Sequence, residues 1–238
     1  MIQQVFERYE KKYLVTREQY YRLIERMLPM MQPDQYGKHL ICNIYFDTPD
    51  YQLIRTSLEK PVYKEKIRLR SYGIPAEEDT VYLELKKKYD GIVYKRRVDM
   101  TLQDARKYLW YGIRPEIESQ VFREIDYAYQ FYQAKPMVYL AYERIAFSGR
   151  EDPELRVTFD MNIRARDCCL ELGKDTYGDW LLEPGKYLME IKIPGAMPVW
   201  MSRVLSEFRI YPVSFSKYGT YYKDFLVGRQ LEGVRCCA

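Results

Sequence analysis

Apolar and polar residues alternate along most of this chain, which predicts a protein built mainly from strands that each bury one face. Over residues 6–14 the even positions carry Arg8, Glu10 and Lys12, while Tyr9 and Tyr13 fall on the other face, which Val15 continues. Over 62–72 one face is Lys64, Lys66, Arg68 and Arg70, and the other is Tyr63, Glu65, Ile67 and Leu69. Over 81–88, Tyr82, Glu84, Lys86 and Lys88 oppose Val81, Leu83 and Leu85. Over 155–164, Arg156, Thr158, Asp160, Asn162 and Arg164 oppose Leu155, Val157, Phe159, Met161 and Ile163. Over 187–193, Glu190 and Lys192 oppose Tyr187, Met189, Ile191 and Ile193. Shorter strands are expected at 41–47, 92–98 and 138–147, and Tyr89-Asp90-Gly91 reads as a hairpin turn.

Helical periodicity is confined to a few segments. Thr16 can cap a helix that runs to about residue 28, before Pro29, and Thr101 can cap one through Leu109. Residues 116–133 are amphipathic, Pro198 opens a helix to about 208, and a last one lies near 220–226. Strands and helices do not alternate, so the expectation is one α+β domain over 1–238 with a large antiparallel sheet.

Composition narrows the chemistry. A net charge of +4 over 238 residues is too small for a general nucleic-acid binder, although the cations crowd into segment 60–97. His39 is the single histidine, which argues against a Ser-His-Asp triad, a His-rich zinc site or an HExxH helix; it is expected in a solvated loop. No Gly-rich phosphate loop of either common kind occurs, so any bound phosphate must be held by side chains. The cysteines, Cys42, Cys168, Cys169, Cys236 and Cys237, suit a reducing compartment. No secretory leader or membrane span is evident, and a cytoplasmic protein is expected.

Any one charged face is what a sheet ordinarily shows to water. Taken together these faces are unusual, since Lys and Arg dominate several strands with one Glu set among them. Like charges on neighbouring strands repel by a few tenths to about 1 kcal/mol per close pair. A bound polyanion removes that cost, and the arrangement that uses all the faces at once is an antiparallel barrel, charged inside and apolar outside under its helices.

Residues 8–13, Arg-Tyr-Glu-Lys-Lys-Tyr, resemble the N-terminal signature of the triphosphate tunnel metalloenzymes, typically Glu-x-Glu-x-Lys. The segments Tyr45-Phe46-Asp47-Thr48, Lys66-Ile67-Arg68-Leu69-Arg70, Glu84-Leu85-Lys86-Lys87-Lys88, Arg156-Val157-Thr158-Phe159-Asp160, Glu190-Ile191-Lys192 and Ser216-Lys217-Tyr218 resemble, in order, the VTC-type polyphosphate polymerase branch of that superfamily. The resemblance covers nearly the whole chain. It implies a tunnel in which the terminal phosphate of ATP passes to a growing polyphosphate chain, helped by Mn²⁺ or Mg²⁺. It implies phosphate ligation by Lys12, Arg68, Arg70, Lys86, Arg156, Arg164, Lys192 and Lys217, with Arg166 as the alternative to Arg164. Lys88 and Arg97 extend the basic path. Glu190 is the implied metal ligand, with Glu10 and Glu84 as secondary candidates. A membrane-protein partner that moves the product, and a place at the inner membrane face, are implied as well. Arg8 departs from the general signature by replacing its first Glu, which tilts the expectation from hydrolysis to polymerisation. The alternatives are a metal-dependent triphosphatase and a non-catalytic polyphosphate or nucleotide sensor.

Overall fold

The structure, a computed structural model, describes residues 9–90 and 92–232. The strands are β1 (Tyr9–Thr16), β2 (Met31–Pro33), β3 (His39–Asp47), β4 (Tyr63–Tyr72), β5 (Thr80–Tyr89), β6 (Ile92–Thr101), β7 (Lys135–Gly149), β8 (Arg156–Arg166), β9 (Asp179–Trp180) and β10 (Lys186–Ile193). They form one antiparallel sheet in the order β1-β10-β8-β7-β3-β4-β5-β6, with β2 on β7 and β9 on β8. The α+β expectation holds. The barrel is an open one, because among the described residues β1 and β6 are unpaired edges. The sheet is curled. Glu10 on β1 feels the charge of Lys86 on β5, and Lys66 on β4 feels that of Lys12, so the two ends of the strand order face each other across a groove.

The helices form where the capping chemistry predicts. Thr16 accepts from the Gln19 amide at 3.2 Å and Gln19 reaches back to the Thr16 amide at 3.0 Å, a reciprocal cap that starts α1 (Arg17–Met27). Sequence reasoning missed α2 (Gln52–Leu58), whose cap is remote: the Asp47 carboxylate accepts from the amides of Leu53 and Ile54 at 2.8 and 3.0 Å. Helices α3 (Leu102–Tyr111) and α4 (Gln120–Phe131) follow β6, and α5 (Val199–Glu207) follows β10.

Two apolar clusters cover the convex face. Ile44, Phe46, Ile67, Leu69, Leu83 and Leu85 pack under α3 and α4. Val157, Phe159, Met189 and Ile191 pack under α1 and α5. Each such side chain contributes about 1.5–3 kcal/mol on full burial, which fixes the outward side of these strands and turns the cations inward.

A third cluster, unexpected from the sequence, lies on the concave face. There Ile41, Tyr45, Val138, Leu140, Tyr142, Ile163, Ala165 and Leu188 bury Tyr218, Tyr221, Tyr222 and Leu226. The C-terminal segment therefore enters the groove as α6 (Lys217–Tyr221), a π-helical turn (Tyr222–Leu226) and α7 (Val227–Glu232). Burial of this segment against the sheet carries Lys217 to the charged half of the groove.

A bulge breaks the alternation of β8. Ala141 pairs with Arg164 but Glu143 pairs with Met161, so β8 spends three steps against two on β7, and Asn162 takes φ +53°. Ile163 and Ala165 consequently face the groove. Arg164 and Arg166 face away from it. His39 also departs from expectation, since it is the first residue of β3 and half-buried. The Arg8 position lies outside the described residues. Among the described residues, no helix is long and apolar enough to cross a membrane.

Candidate functional site

The groove is organised around two carboxylate centres. The first is Glu84 on β5, whose side chain is only 2% exposed. Its oxygens accept from Arg68 Nε at 2.6 Å, Lys95 Nζ at 2.8 Å and Arg97 Nε at 2.7 Å, with Arg70 Nε 3.9 Å away. Burial works against its charge, but Arg68, Arg70 and Lys95 outweigh burial and hold the carboxyl far below the usual range. Its oxygens are engaged by cations from β4 and β6, so in this arrangement it anchors and spaces the arginines.

The second centre is the pair Glu190 on β10 and Asp160 on β8. Arg144 clasps Asp160 with two hydrogen bonds, of 2.6 and 2.7 Å, and lies 3.6 Å from Glu190. Lys217, brought in at the start of α6, lies 2.5 Å from Asp160 and 3.2 Å from Glu190. Lys12 lies 3.5 Å from Glu190, 3.4 Å from Glu10 and 3.1 Å from the Phe215 carbonyl. Burial would discharge both Glu190 and Lys217. The cations around the carboxylate and the carboxylates around the lysine outweigh it, so Glu190 stays ionised well below the usual range and Lys217 is raised above the ordinary lysine value. The Tyr142 ring sits beside this centre, 4.6 Å from Lys217 Nζ and 5.2 Å from the Arg144 guanidinium.

Beside these centres lies a set of cations, Lys66, Lys86 and Lys192, with no carboxylate inside ion-pair distance among the described residues, and exposed Arg156 extends it next to Lys192 on β8. Lys66 donates to the Ser216 hydroxyl at 3.3 Å. Burial, together with Lys12, Lys86 and Lys64, pushes its pKa down to about 8. Burial likewise takes Lys192 down to about 8 despite Glu10 and Glu190 nearby. Tyr45, beside Lys66, moves to about 8 against its burial because Arg68 and Lys66 favour the phenolate, and Arg68 donates to its hydroxyl at 3.4 Å. These groups form a crowded positive surface only partly offset by Glu10 and Glu190 beside Lys192, which is the electrostatic signature of an anion site.

Of the residues expected from the sequence, Lys12, Arg68, Arg70, Lys86, Arg156, Lys192, Lys217, Glu10, Glu84 and Glu190 share the concave side. Lys88 is exposed at one end of it, opposite Lys64, and Arg97 lies on the Glu84 centre. Arg164 and Arg166 are not in the groove. Arg164 lies over Trp180, 4.3 Å from the ring. Arg166 stacks 3.6 Å from the Tyr139 ring and donates to the carbonyls of Cys169, Asp175 and Tyr177, so it pins a loop. The inward arginine of this region is Arg144, which is not among the ligands that the resemblance implies. Its neighbour Glu143 bonds Asn162 and Lys38 on the other face. The alternation of β7 offered a signal: Tyr142, Arg144 and Ala146 share one face, and only one member of that face is charged.

A divalent cation could be held only by a sparse donor set. Among the described residues no three Asp, Glu, His or Cys side chains cluster. Glu190 works against the charge of Glu10, burial does so more, and Lys12, Lys86 and Lys192 outweigh both and lower its pKa; Glu10 is one-third exposed. Two adjacent carboxylates and open solvent fit a hard cation that takes its remaining ligands from water and phosphate, as Mg²⁺ and Mn²⁺ do.

A family model described as VTC domain matches residues 7–226. No curated protein sequence matches the chain. Among solved structures, a candidate adenylate cyclase from Bacillus halodurans superposes with a TM-score of 0.58 at 19% identity, covering 93% of this chain and 99% of that one. A Hippeastrum candidate adenylyl cyclase with dominant triphosphatase activity gives a TM-score of 0.48 at 14% identity, covering 90% of this chain and 94% of that one. The first of these likenesses establishes a shared fold.

Proposed function

Because the chain belongs to the VTC domain family, we propose that it is a polyphosphate polymerase that moves the terminal phosphate of ATP onto a growing polyphosphate chain inside this groove. The observation that carries the reading is the cluster Lys66, Lys86 and Lys192, continued by exposed Arg156 beside Lys192, with no carboxylate within ion-pair distance among the described residues. A linear polyanion would supply the missing charge along the whole row. In the transfer, a terminal oxygen of the acceptor chain attacks the γ-phosphorus, the bond to the β–γ bridging oxygen breaks, and ADP leaves. The acceptor oxygen is already anionic, so the step requires alignment and shielding rather than a general base. Arg68 and Arg70, held by Glu84, present forks suited to triphosphate oxygens. Arg144 and Lys217 are held by Asp160 at the other wall. A divalent cation on Glu190 and Glu10 would neutralise charge on the triphosphate oxygens and leaving group. ATP with Mn²⁺ should yield a ladder of phosphate chains on a gel. Free phosphate alone would replace the reading with a triphosphatase, and binding without turnover would replace it with a sensor.

The two depressed lysines set a pH dependence. Lys66 and Lys192 are protonated at pH 7 and discharge in the free protein as pH rises through about 8. A bound triphosphate favours their charged forms, so binding takes up protons above pH 8 and affinity falls as pH rises. Calorimetric titration with tripolyphosphate should show a loss of about tenfold or more between pH 7.5 and 9.5. A flat profile would mean that neither lysine meets the ligand.

A further inference from the structure

Two neighbouring strands of the groove change chemistry in the same direction. The concave side of β4 reads Tyr72, Arg70, Arg68, Lys66, Lys64, and that of β5 reads Tyr82, Glu84, Lys86, Lys88. Tyr82 lies opposite Arg70 and Lys88 opposite Lys64, so both tyrosines share one end and the lysines share the other. The eight steps from Tyr72 to Lys64 span about 27 Å at the strand rise of about 3.3 Å per residue. The groove therefore has a polarity.

The tyrosine end is an aromatic rim. Tyr72 lies 5.7 Å from Tyr82 and 6.3 Å from His39, which lies 6.1 Å from Tyr36, all between ring centres. None of these rings belongs to the three apolar clusters, so core packing does not account for them. Tyr72 keeps 51% of its surface open to solvent. Arg97 joins the rim to the phosphate-binding wall: its guanidinium lies 4.4 Å over the Tyr82 ring and donates to the Tyr72 hydroxyl at 3.3 Å. At the other end, Tyr63 and Tyr89 stand on the convex side of the same strands, while Lys64 and Lys88 pair on the concave side.

A nucleoside triphosphate has a flat π-system at one end and phosphates at the other, and open aromatic rings stack on bases with little regard to which base it is. We propose that the rim of Tyr72, Tyr82 and His39 is the nucleobase subsite, so that the nucleotide enters at this end, its triphosphate passes Arg97 and Arg70 into the cation rows, and the polyphosphate chain lies toward Lys64 and Lys88. This assignment rests on reading the groove as a nucleoside triphosphate site.

The test compares ATP with inorganic tripolyphosphate, which has the phosphates but no base. Equilibrium binding of both is measured on the wild type, Tyr72→Ala and Tyr72→Phe. Tyr72→Ala should weaken ATP about tenfold or more and leave tripolyphosphate unchanged, which also reports that the variant is folded. Tyr72→Phe should keep wild-type affinity for ATP, because the ring and not the hydroxyl does the stacking. Equal losses for the two ligands, or no loss for ATP, would overturn the subsite while leaving the groove's function standing. A wild type that binds neither ligand would overturn both.

Discussion

Glu190→Gln is expected to cut phosphate-chain synthesis by about a hundredfold or more while leaving tripolyphosphate binding, measured without metal, equal to or tighter than wild type. The two halves have different physical causes. Glu190 is the one carboxylate that touches Lys12, Lys217 and Arg144 together. Removing its charge makes the groove more positive, so a polyanion is attracted at least as strongly. Lys217 keeps its place through Asp160 at 2.5 Å, and Arg144 through two bonds to the same residue, so the geometry survives. What is lost is the negative charge that a divalent cation needs. Chain synthesis is read on a gel with ATP and Mn²⁺, and binding by calorimetry in chelator. Full synthesis by the Gln variant would remove Glu190 from the metal assignment. Weaker tripolyphosphate binding would show that it organises the cations instead.

The sequence made the charged rows of β1, β4, β5 and β10 legible because no bulge interrupts their alternation between the predicted and observed ends. Burial of Ile67, Leu69, Leu83 and Leu85 on the convex side then forces Lys66, Arg68, Glu84 and Lys86 inward. The same logic fails on β8 at Asn162, where one extra residue reverses the parity and sends Arg164 outward. A bulge of this kind is set by the partner strand, so spacing within β8 could not reveal it. Arg144 was hidden for a related reason. Its partner is Asp160, opposite it on the next strand, and the pairing of two strands cannot be read from either one alone. The apolar half of the concave face was hidden as well. It depends on a C-terminal segment returning to strands far away in sequence, as in the Tyr218 bond to Asp47. Closure of a sheet is equally invisible to alternation, which reads each strand singly.

Residue type alone does not fix the role of Glu84, and its removal should have a large effect on the fold. A carboxylate flanked by cations reads as a metal ligand or as an ion-pair hub with equal ease. The structure gives it Arg68, Arg70, Lys95 and Arg97, from the strands on both sides. Taking one partner from a buried ion cluster costs about 3–5 kcal/mol, because the remaining charges stay desolvated and unpaired. Glu84→Gln is nearly isosteric, so this electrostatic loss should dominate. For a chain of this size that corresponds to a fall in Tm of about 10 °C. The loss should be smaller when tripolyphosphate is present, since the ligand brings negative charge to the same arginines. The pH profile adds a second check. Although burial opposes its charge, Arg68, Arg70 and Lys95 hold Glu84 well below the ordinary glutamate range, so the stability it contributes is present above that range and declines as pH falls toward the folded-state value. The gap between wild type and variant should therefore stay constant from pH 8 to about 5 and narrow in stronger acid. Thermal melts with and without tripolyphosphate, across that range, measure both effects. An unchanged Tm in the ligand-free variant would mean that the four cations do not depend on Glu84.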